Sequence, residues 1–255
     1  MLTPKTIHTL AQRLLAAEKA RQPIPFLSNQ YNLDMEDAYR IQEVRVRLKE
    51  EPVIGYKLGF TSNVMRQQMR IASPNYGMLT YSMMLDEPLV PADRLIHPRI
   101  EPEIAVLLKE SLPAPVPTLA HVYRAIDVVM PALEIVDTRY ITYQFTLQDN
   151  TADNSSAAYF IAGWPHPPAH IDLRFESMIF YKNSDHIAHG VGAEVMGNPL
   201  KAIQWLASTL HRHGKQLQAG DLILTGGLTQ AFVMEPGDTF TAAFAHLGTI
   251  RVTYR

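Results

Sequence analysis

The chain has 255 residues, with 23 Lys and Arg against 25 Asp and Glu, so its net charge is −2. This balance gives no electrostatic reason to expect a nucleic-acid or anionic-membrane partner. It contains no cysteine, which excludes disulfide bonds, thiolate metal sites and a cysteine nucleophile. It lacks an apolar run of the roughly 20 residues that span a bilayer and a secretory signal in residues 1–21, so we expect a globular, cytoplasmic protein.

Residues 1–52 predict an N-terminal helical region with two helices and a proline-containing linker. Apolar residues at helical spacing follow Thr3 and Pro4, a suitable cap with a proline in the first turn. Asp34 can cap the second helix. The apolar stripe of that helix consists of Ala38, Ile41, Val44 and Leu48.

Short strands broken by turns predict a β-rich catalytic domain over residues 53–255. Helices are expected over 63–70, 118–129 and 198–213, the last ended by Gly214. Strands are expected over 52–60, 96–108, 132–140, 157–162, 173–181 and 222–225, with a final hairpin about Leu247 and Gly248. Uneven strand spacing with few helices favours an α+β fold over a doubly wound sheet.

Three glutamates are the first candidates for chemistry. Glu101 and Glu103 lie two residues apart on a predicted strand, so their side chains point to one face, and the intervening Pro102 suits an edge strand or a cleft lip. Glu134 lies in a mainly apolar segment that should be buried. Gathered carboxylates repel one another, and a hard divalent cation such as Mg²⁺ or Mn²⁺ relieves that repulsion. The alternative is a solvated strand face, with Glu134 paired to Arg139.

Three further segments allow both a functional and a structural interpretation. Lys57 in GYKLGF could contact a substrate carboxylate or extend its ammonium group to the surface. Residues 149–156 (DNTADNSS) could present donors to an anionic ligand or form a polar turn before a buried strand. Residues 225–227 (TGG) could approach a ligand oxygen or form a plain β-turn. The ten histidines fit no metal-binding pattern, and H-E-x-x-H, P-loop, G-x-S-x-G and G-x-G-x-x-G motifs are absent.

Taken together, these segments resemble the fumarylacetoacetate hydrolase superfamily, in its hydratase and decarboxylase branch. The resemblance covers nearly the whole chain. It rests on GYKLGFTS, YGML, LIHPRIEPEIAVLL, PALEIVDTRY, TADNSSAAYFIAG, LTGGLT and PGD…LGTIRVTY, in matching order. It implies an α+β fold, a mixed β-roll or pseudo-barrel preceded by the smaller helical region, and a homo-oligomer.

The resemblance also implies the roles of individual residues. Glu101, Glu103 and Glu134 would be ligands of Mg²⁺ or Mn²⁺, and Lys57 would be a catalytic residue beside a bound 2-oxo acid. The residues implied in substrate binding are Thr61, Ser62, Asn75, Tyr76, Arg139, Asp153, Asn154, Ser155, Ser156, Thr225, Gly226 and Gly227.

Within this branch the sequence favours decarboxylation of 2-oxohex-3-enedioate (4-oxalocrotonate), in the meta-cleavage of aromatic compounds. The hydratases carry an acidic residue where this chain has Asn75, and an amide cannot move protons. The segment TGGLTQA and the aromatic-rich stretch 139–145 are also similar to the decarboxylases. The alternatives are the hydratase of 2-hydroxypenta-2,4-dienoate, a C–C hydrolase, for which no Glu–His pair is recognisable, and a catalytically silent assembly subunit. The implied partners are a small 2-oxo dicarboxylic acid and the hydratase of the same pathway.

Overall fold

The computed structural model describes residues 1–62, 66, 71, 73–113 and 115–255, so the helix predicted over 63–70 lies outside the described residues except for residue 66. The α-helices in these ranges are α1 (Pro4–Ala20), α2 (Met35–Arg47), α3 (Leu119–Ala125), α4 (Leu147–Ala152) and α5 (Pro199–Arg212). None of these helices is both long and apolar enough to cross a membrane.

The first two helices begin at the predicted caps. Thr3 Oγ1 accepts a hydrogen bond from the amide of Thr6 at 3.2 Å, and Asp34 Oδ1 accepts one from the amide of Asp37 at 2.7 Å. The apolar faces of α1 and α2 share a small core with Tyr140 and with Ala152 of α4. The helical region therefore packs directly on the segment that precedes strand β6. The boundary at residue 53 stays a prediction.

The larger sheet is mixed and has the strand order β2–β1–β9–β4–β5–β6, with β10 paired to β4. Its β1 and β9 are parallel, whereas the other neighbouring pairs are antiparallel. The strands are β1 (Val53–Gly59), β2 (Asn75–Thr80), β4 (Arg99–Leu108), β5 (Ile126–Val136), β6 (Ala157–Ala162), β9 (Leu222–Leu224) and β10 (Phe232–Val233).

The smaller sheet has the order β3–β12–β11–β7–β8 and includes the predicted C-terminal hairpin as β11 and β12. Its strands are β3 (Leu89–Val90), β7 (Ser177–Lys182), β8 (Asp185–Val191), β11 (Thr239–Phe244) and β12 (Gly248–Tyr254). The main core contains Ile100 and Ile104 of β4 together with Phe180 and Phe240 of the smaller sheet and the apolar face of α5. Mixed, curled sheets with few helices confirm the α+β prediction.

Three local predictions were wrong, and in the first of them strand pairing prevails over the local pattern. The helix predicted over 118–129 ends at Ala125, because the residues from Ile126 onward pair with β4. The strand predicted from residue 173 begins at Ser177, after a turn in which the amide of Phe175 bonds to Asp172 O. The extended segment predicted to end at Tyr140 ends as a strand at Val136.

The edge position predicted for Pro102 is also wrong, since β4 is an interior strand. Pro102 lies between the part of β4 that pairs with β10 (residues 99–100) and the part that pairs with β9 (residues 105–107). Its carbonyl oxygen accepts a hydrogen bond from the amide of Leu228, in the connection between β9 and β10. A proline nitrogen is tolerated in this interior strand because it falls in the gap between the two pairings.

Candidate active site

The three predicted carboxylates lie on one face of the larger sheet. Glu101 of β4 is directly opposite Glu134 of β5, and Glu103 is opposite Ala132. Residues opposite one another in an antiparallel pair point to the same face, as do residues two apart on one strand. The three glutamates therefore share the face turned away from Ile100 and Ile104. Glu103 and Glu134 are buried and Glu101 is half-buried, so the solvated alternative is wrong.

Burial raises the pKa of each of these glutamates above its ordinary value. The pKa of Glu101 rises to about 7, a shift that the Lys57 charge opposes and Glu134 reinforces. The pKa of Glu103 rises well above its usual value through burial and the charges of Glu134 and Glu101. Burial raises the pKa of Glu134 against the opposing charge of Lys57. The cluster therefore has more negative charge than its protein surroundings compensate.

Lys57 lies among these carboxylates and is itself buried, so the surface alternative is wrong for this residue. Its Nζ is 3.1 Å from Glu134 Oε2 and donates a hydrogen bond to Ser155 O at 3.1 Å. Burial by itself lowers the pKa of Lys57, but the charges of Glu134, Glu101 and Glu103 more than offset this and raise it above the ordinary value. Lys57 is thus held as an ammonium ion beside the cluster.

A left-handed turn positions the carbonyl group that Lys57 contacts. Asn154, Ser155 and Ser156 have φ angles of 57°, 53° and 57°, a backbone conformation that costs energy for residues other than glycine. Asn154 compensates by bonding twice to β2, accepting from the amide of Met78 at 2.8 Å and donating to Met78 O at 2.9 Å. The turn is therefore fixed to the strand beside β1, and Ser155 O is fixed with it.

A buried network of ion pairs and hydrogen bonds stabilises the same turn. Arg139 Nε donates to Asp153 Oδ1 at 2.5 Å, and Arg139 Nη1 donates to Ala157 O at 3.1 Å. Arg45 of α2 approaches Asp153 Oδ1 at 3.5 Å. Arg139 therefore pairs with Asp153, and the alternative in which it pairs with Glu134 is wrong.

A cavity of about 230 Å³ opens beside the cluster. Of the residues predicted for the site, those that line it are Lys57, Thr61, Ser62, Glu101, Ser155, Ser156 and Gly227. The others lie behind this wall or away from it: Asn75, Tyr76, Glu103, Glu134, Arg139, Asp153, Asn154, Thr225 and Gly226. Their functional roles stay predictions.

Several of the residues behind the wall have clear structural partners. Asn75 Nδ2 donates to Asn150 Oδ1 at 2.8 Å, which places an amide network next to the cavity. The Tyr76 hydroxyl contacts His213 Nδ1 at 3.0 Å, away from the carboxylates. Thr225 Oγ1 donates to Ile104 O at 2.9 Å and so fixes the end of β9.

Gly226 and Gly227 allow a close backbone approach to the cluster. The amide of Gly226 donates to Glu103 Oε2 at 2.7 Å, and its φ of 117° favours glycine. A Cβ atom at Gly226 would collide with the Thr61 side chain, and one at Gly227 would collide with Glu101 Oε2. Gly226 therefore requires glycine, whereas a side chain at Gly227 would displace the Glu101 carboxylate.

Several residues that line the cavity were not among the predicted site residues. They are Leu58, Gly59, Phe60, Arg99, Val136, Tyr143, Phe145, Thr229, Gln230 and Ala231, and Asn150 was predicted only as part of the segment 149–156. A signal was available for Arg99, since it lies two residues before Glu101 on the same strand and so shares its face. No local pattern in the sequence indicates that Tyr143 and Phe145 meet this strand.

The donor set of the cluster suits a hard divalent cation. Glu103 Oε1 and Glu134 Oε1 are buried and have no hydrogen-bond partner in the described part of the chain. Oxygen-only ligands of this kind suit Mg²⁺, Mn²⁺ or Ca²⁺. Across the described ranges, no group of three acidic or histidine side chains is arranged to hold a metal ion as it stands. Metal binding would therefore require these side chains to reorient.

Sequence comparison relates the chain to enzymes of known activity. The family model described as fumarylacetoacetate hydrolase C-terminal matches residues 53–255. The 4-oxalocrotonate decarboxylase of Pseudomonas putida is 35% identical over 99% of this chain and 98% of its own length. The 2-oxo-hept-4-ene-1,7-dioate hydratase of Escherichia coli is 39% identical over 96% of this chain and 97% of its own length.

Structural comparison gives a match over the whole chain. The structure of 4-oxalocrotonate decarboxylase from Pseudomonas putida G7, complexed with magnesium and adipate, has a TM-score of 0.95 at 34% identity and covers 100% of this chain and 99% of that one. A second structure of that enzyme is complexed with calcium and acetate. The match confirms the predicted β-roll fold, and these structural neighbours hold divalent metal ions.

Proposed function

Since this chain belongs to the fumarylacetoacetate hydrolase family, as the sequence predicted, we propose that it is a divalent-metal-dependent decarboxylase of 2-oxohex-3-enedioate. In this substrate the distal carboxylate is attached to the carbon next to a C=C bond that is conjugated with the 2-oxo group. When the C5–C6 bond breaks, its electron pair moves through that double bond to the ketone oxygen. The products are CO₂ and the dienolate of 2-hydroxypenta-2,4-dienoate.

The observation that supports decarboxylation is which kinds of side chain line the cavity. Among the described residues that line the cavity, Glu101 is the one carboxylate, and it belongs to the proposed metal cluster. The wall beside it presents amide and hydroxyl groups from Asn150, Ser155 and Ser156, backed by Asn75. Hydration would require a group that delivers a proton to carbon, and the described wall offers no carboxylate for this outside the proposed cluster. Loss of CO₂ requires no such group.

The chain's own residues supply binding and charge compensation. Glu101, Glu103 and Glu134 would hold Mg²⁺ or Mn²⁺, which when bound acts as a Lewis acid toward the 1-carboxylate and 2-oxo oxygens. The Lys57 ammonium, which is held by Ser155 O, would neutralise the developing enolate oxygen. The decarboxylase of Pseudomonas putida G7 binds adipate, a six-carbon dicarboxylate, which supports a substrate of this length.

The second candidate is hydration of a dienoic acid in the same fold. The hydratase of Escherichia coli is at least as similar in sequence as the decarboxylase, at 39% against 35% identity. Overall identity therefore does not separate the two activities. We distinguish the two activities by the residues that line the cavity.

A product assay with 2-oxohex-3-enedioate tests the proposal. With Mg²⁺ we expect CO₂ and 2-hydroxypenta-2,4-dienoate, and with a chelator we expect neither. If no CO₂ forms but the dienol is converted to 4-hydroxy-2-oxopentanoate, the chain is a hydratase. If neither reaction occurs and calorimetry detects no Mg²⁺ binding, the chain is a silent assembly subunit.

A further inference from the structure

Arg99 is a cation of the cavity to which the proposed reaction gives no role. It is half-buried, and in the part of the chain that the structure describes its guanidinium group has no hydrogen bond or ion pair, although its charge lowers the pKa of Glu101. Its Cζ lies instead over the ring of Tyr143, 4.1 Å from the centroid. A charge held in this way at a cavity wall is available to a ligand anion.

Tyr143 is a fixed platform for this guanidinium. Its hydroxyl donates to Val136 O at 3.0 Å and lies 3.3 Å from His97 O. Its ring contacts the His97 ring on one side, at 5.4 Å between centroids, and that of Phe145 at 5.9 Å. The contact with the ring uses none of the N–H groups of Arg99, so these stay available for a carboxylate, whose geometry the guanidinium fork matches.

Arg99 also lies at a suitable distance from the carboxylate cluster. It precedes Glu101 by two residues on β4, so the two side chains share a face and start about 6.7 Å apart along the strand. An extended chain of six carbon atoms, with bonds of about 1.5 Å, has a comparable length. The backbone separation of Arg99 and Glu101 is therefore comparable to the length of a six-carbon 2-oxo acid whose keto end lies at Glu101 and Lys57, and all three residues line the same cavity.

We propose that Arg99, stacked on Tyr143, binds the distal carboxylate of the substrate and makes the site selective for dicarboxylic over monocarboxylic 2-oxo acids. This inference rests on the proposed function in one respect, the placement of the 2-oxo end at the glutamate cluster. It holds equally for a decarboxylase and for a hydratase of a dicarboxylic acid.

Binding of the distal carboxylate by Arg99 should affect KM and kcat differently. A charge pair with the departing carboxylate is present in the bound substrate and weakens as that group becomes neutral CO₂. Interactions stronger in the ground state than in the transition state lower KM without raising kcat. Arg99 therefore contributes to binding and selectivity, and its removal should raise KM without lowering kcat.

The test compares two ligands of equal length on the Mg²⁺-loaded protein by calorimetry. They are 2-oxohexanedioate, which has the distal carboxylate, and 2-oxohexanoate, which lacks it. Loss of a charged hydrogen-bonded contact in Arg99→Met should weaken binding of the diacid by about 10- to 100-fold and leave the monoacid nearly unchanged. Arg99→Lys should restore part of the preference, because it keeps the charge without the planar fork. The matched control is Arg251→Met, an exposed arginine that bonds to Thr241 on the smaller sheet.

Two results would overturn the assignment. One is an equal loss of affinity for both acids in Arg99→Met with an unchanged unfolding temperature, and the other is no loss for either. A fall in kcat at unchanged KM for 2-oxohex-3-enedioate would likewise show that Arg99 acts on the transition state. If the wild type binds the diacid selectively but releases no CO₂, the proposed decarboxylation fails while the role of Arg99 stands. If the wild type binds neither acid, both fail.

Discussion

The residues of the cavity are arranged around an excess of negative charge. Three glutamates face one ammonium group, Lys57, and burial raises the pKa of each glutamate. The side chains stay together because β4 and β5 place them in register. A charge of +2 would satisfy the cluster, and neutralising one member should also relieve part of the repulsion.

The first prediction follows for Glu103→Gln. We expect Mg²⁺ affinity and activity to fall together by at least about tenfold, the lower limit seen even for outer partners of metal ligands. The metal-free variant should be at least as stable as the wild type, since the amide oxygen can still accept from the Gly226 amide. Calorimetric Mg²⁺ titration and urea unfolding measure the two effects.

The control is Glu110→Gln, which changes an exposed glutamate near Arg124. Full activity with normal metal dependence would remove Glu103 from the ligand set.

The second prediction concerns Asn75→Asp. The Asn75 amide donates to Asn150 Oδ1 and to Thr151 Oγ1, so a carboxylate there would face the Asn150 oxygen and lose a donor. We expect a destabilisation of about 1–3 kcal/mol, together with a gain of dienol hydration, because a titratable group would then contact Ser155, which lines the cavity. Product analysis tests the gain of hydration activity.

Asn75→Ala removes the amide without adding an acid, so this variant should not gain hydration activity. A hydration rate no higher in Asn75→Asp than in Asn75→Ala would contradict our interpretation of this position.

At the scale of elements, α1, α2 and the left-handed turn are connected by charges. Glu18 of α1 bonds to Arg45 of α2 and, at 2.6 Å, to Lys49. Arg45 in turn approaches Asp153, whose pairing with Arg139 supports the turn that carries Ser155. The N-terminal helices are therefore coupled to the lysine-binding carbonyl of the cavity through buried side chains.

The third prediction is a pH dependence of this junction. Burial raises the pKa of Glu18, but Arg45 and Lys49 more than offset it, so the pKa in the folded protein lies well below its ordinary value. A lowered pKa contributes stability above the unfolded value of about 4.3 and loses it as pH falls below that value. Glu18→Gln should therefore be less stable than the wild type at pH 7, with a smaller difference at pH 3.

Urea unfolding at the two pH values measures this difference. Glu87→Gln, at an exposed position outside the helices and strands, should show little difference at either pH. A Glu18→Gln difference that stays constant between pH 7 and pH 3 would mean that the ion pairs with Arg45 and Lys49 do not stabilise the folded state.

At the scale of the whole molecule, the two sheets enclose the main core, and the site lies on the other face of the larger sheet. Large apolar side chains remain exposed elsewhere, among them Trp164 (79%), Phe175 (69%) and Val233 (57%). An isolated exposed apolar residue is ordinary. The family resemblance adds the expectation that copies of the chain associate.

The fourth prediction is therefore a homo-oligomer. Sedimentation at micromolar concentration should give a mass that is a multiple of 28.7 kDa. A single species of 28.7 kDa over the whole concentration range would contradict it.

We also propose that the protein associates with the pathway hydratase, and co-sedimentation of the two at physiological salt tests this association. Separate migration at high concentration would count against it.

The sequence by itself determined features that depend on neighbours along the chain. The caps at Thr3 and Asp34, the helix after Asn198 and the C-terminal hairpin follow from local hydrogen bonding and residue spacing. The common face of Glu101 and Glu103 follows from the two-residue period of a strand. Glu134 was a candidate from its apolar surroundings, and the family resemblance added its role as a metal ligand beside this pair, since no local rule connects β4 with β5.

Only the tertiary structure decided which distant groups meet. Lys57 pairs with Glu134, and Arg139 with Asp153, through strand register and buried packing that local periodicity does not encode. The same reason explains why β5 begins at Ile126, where pairing with β4 prevails over helical pattern. It also explains why the contact between Arg99 and Tyr143 was missed. Their contact depends on a fold that carries the loop after β5 back over β4, and burial then decides which charges the cavity presents.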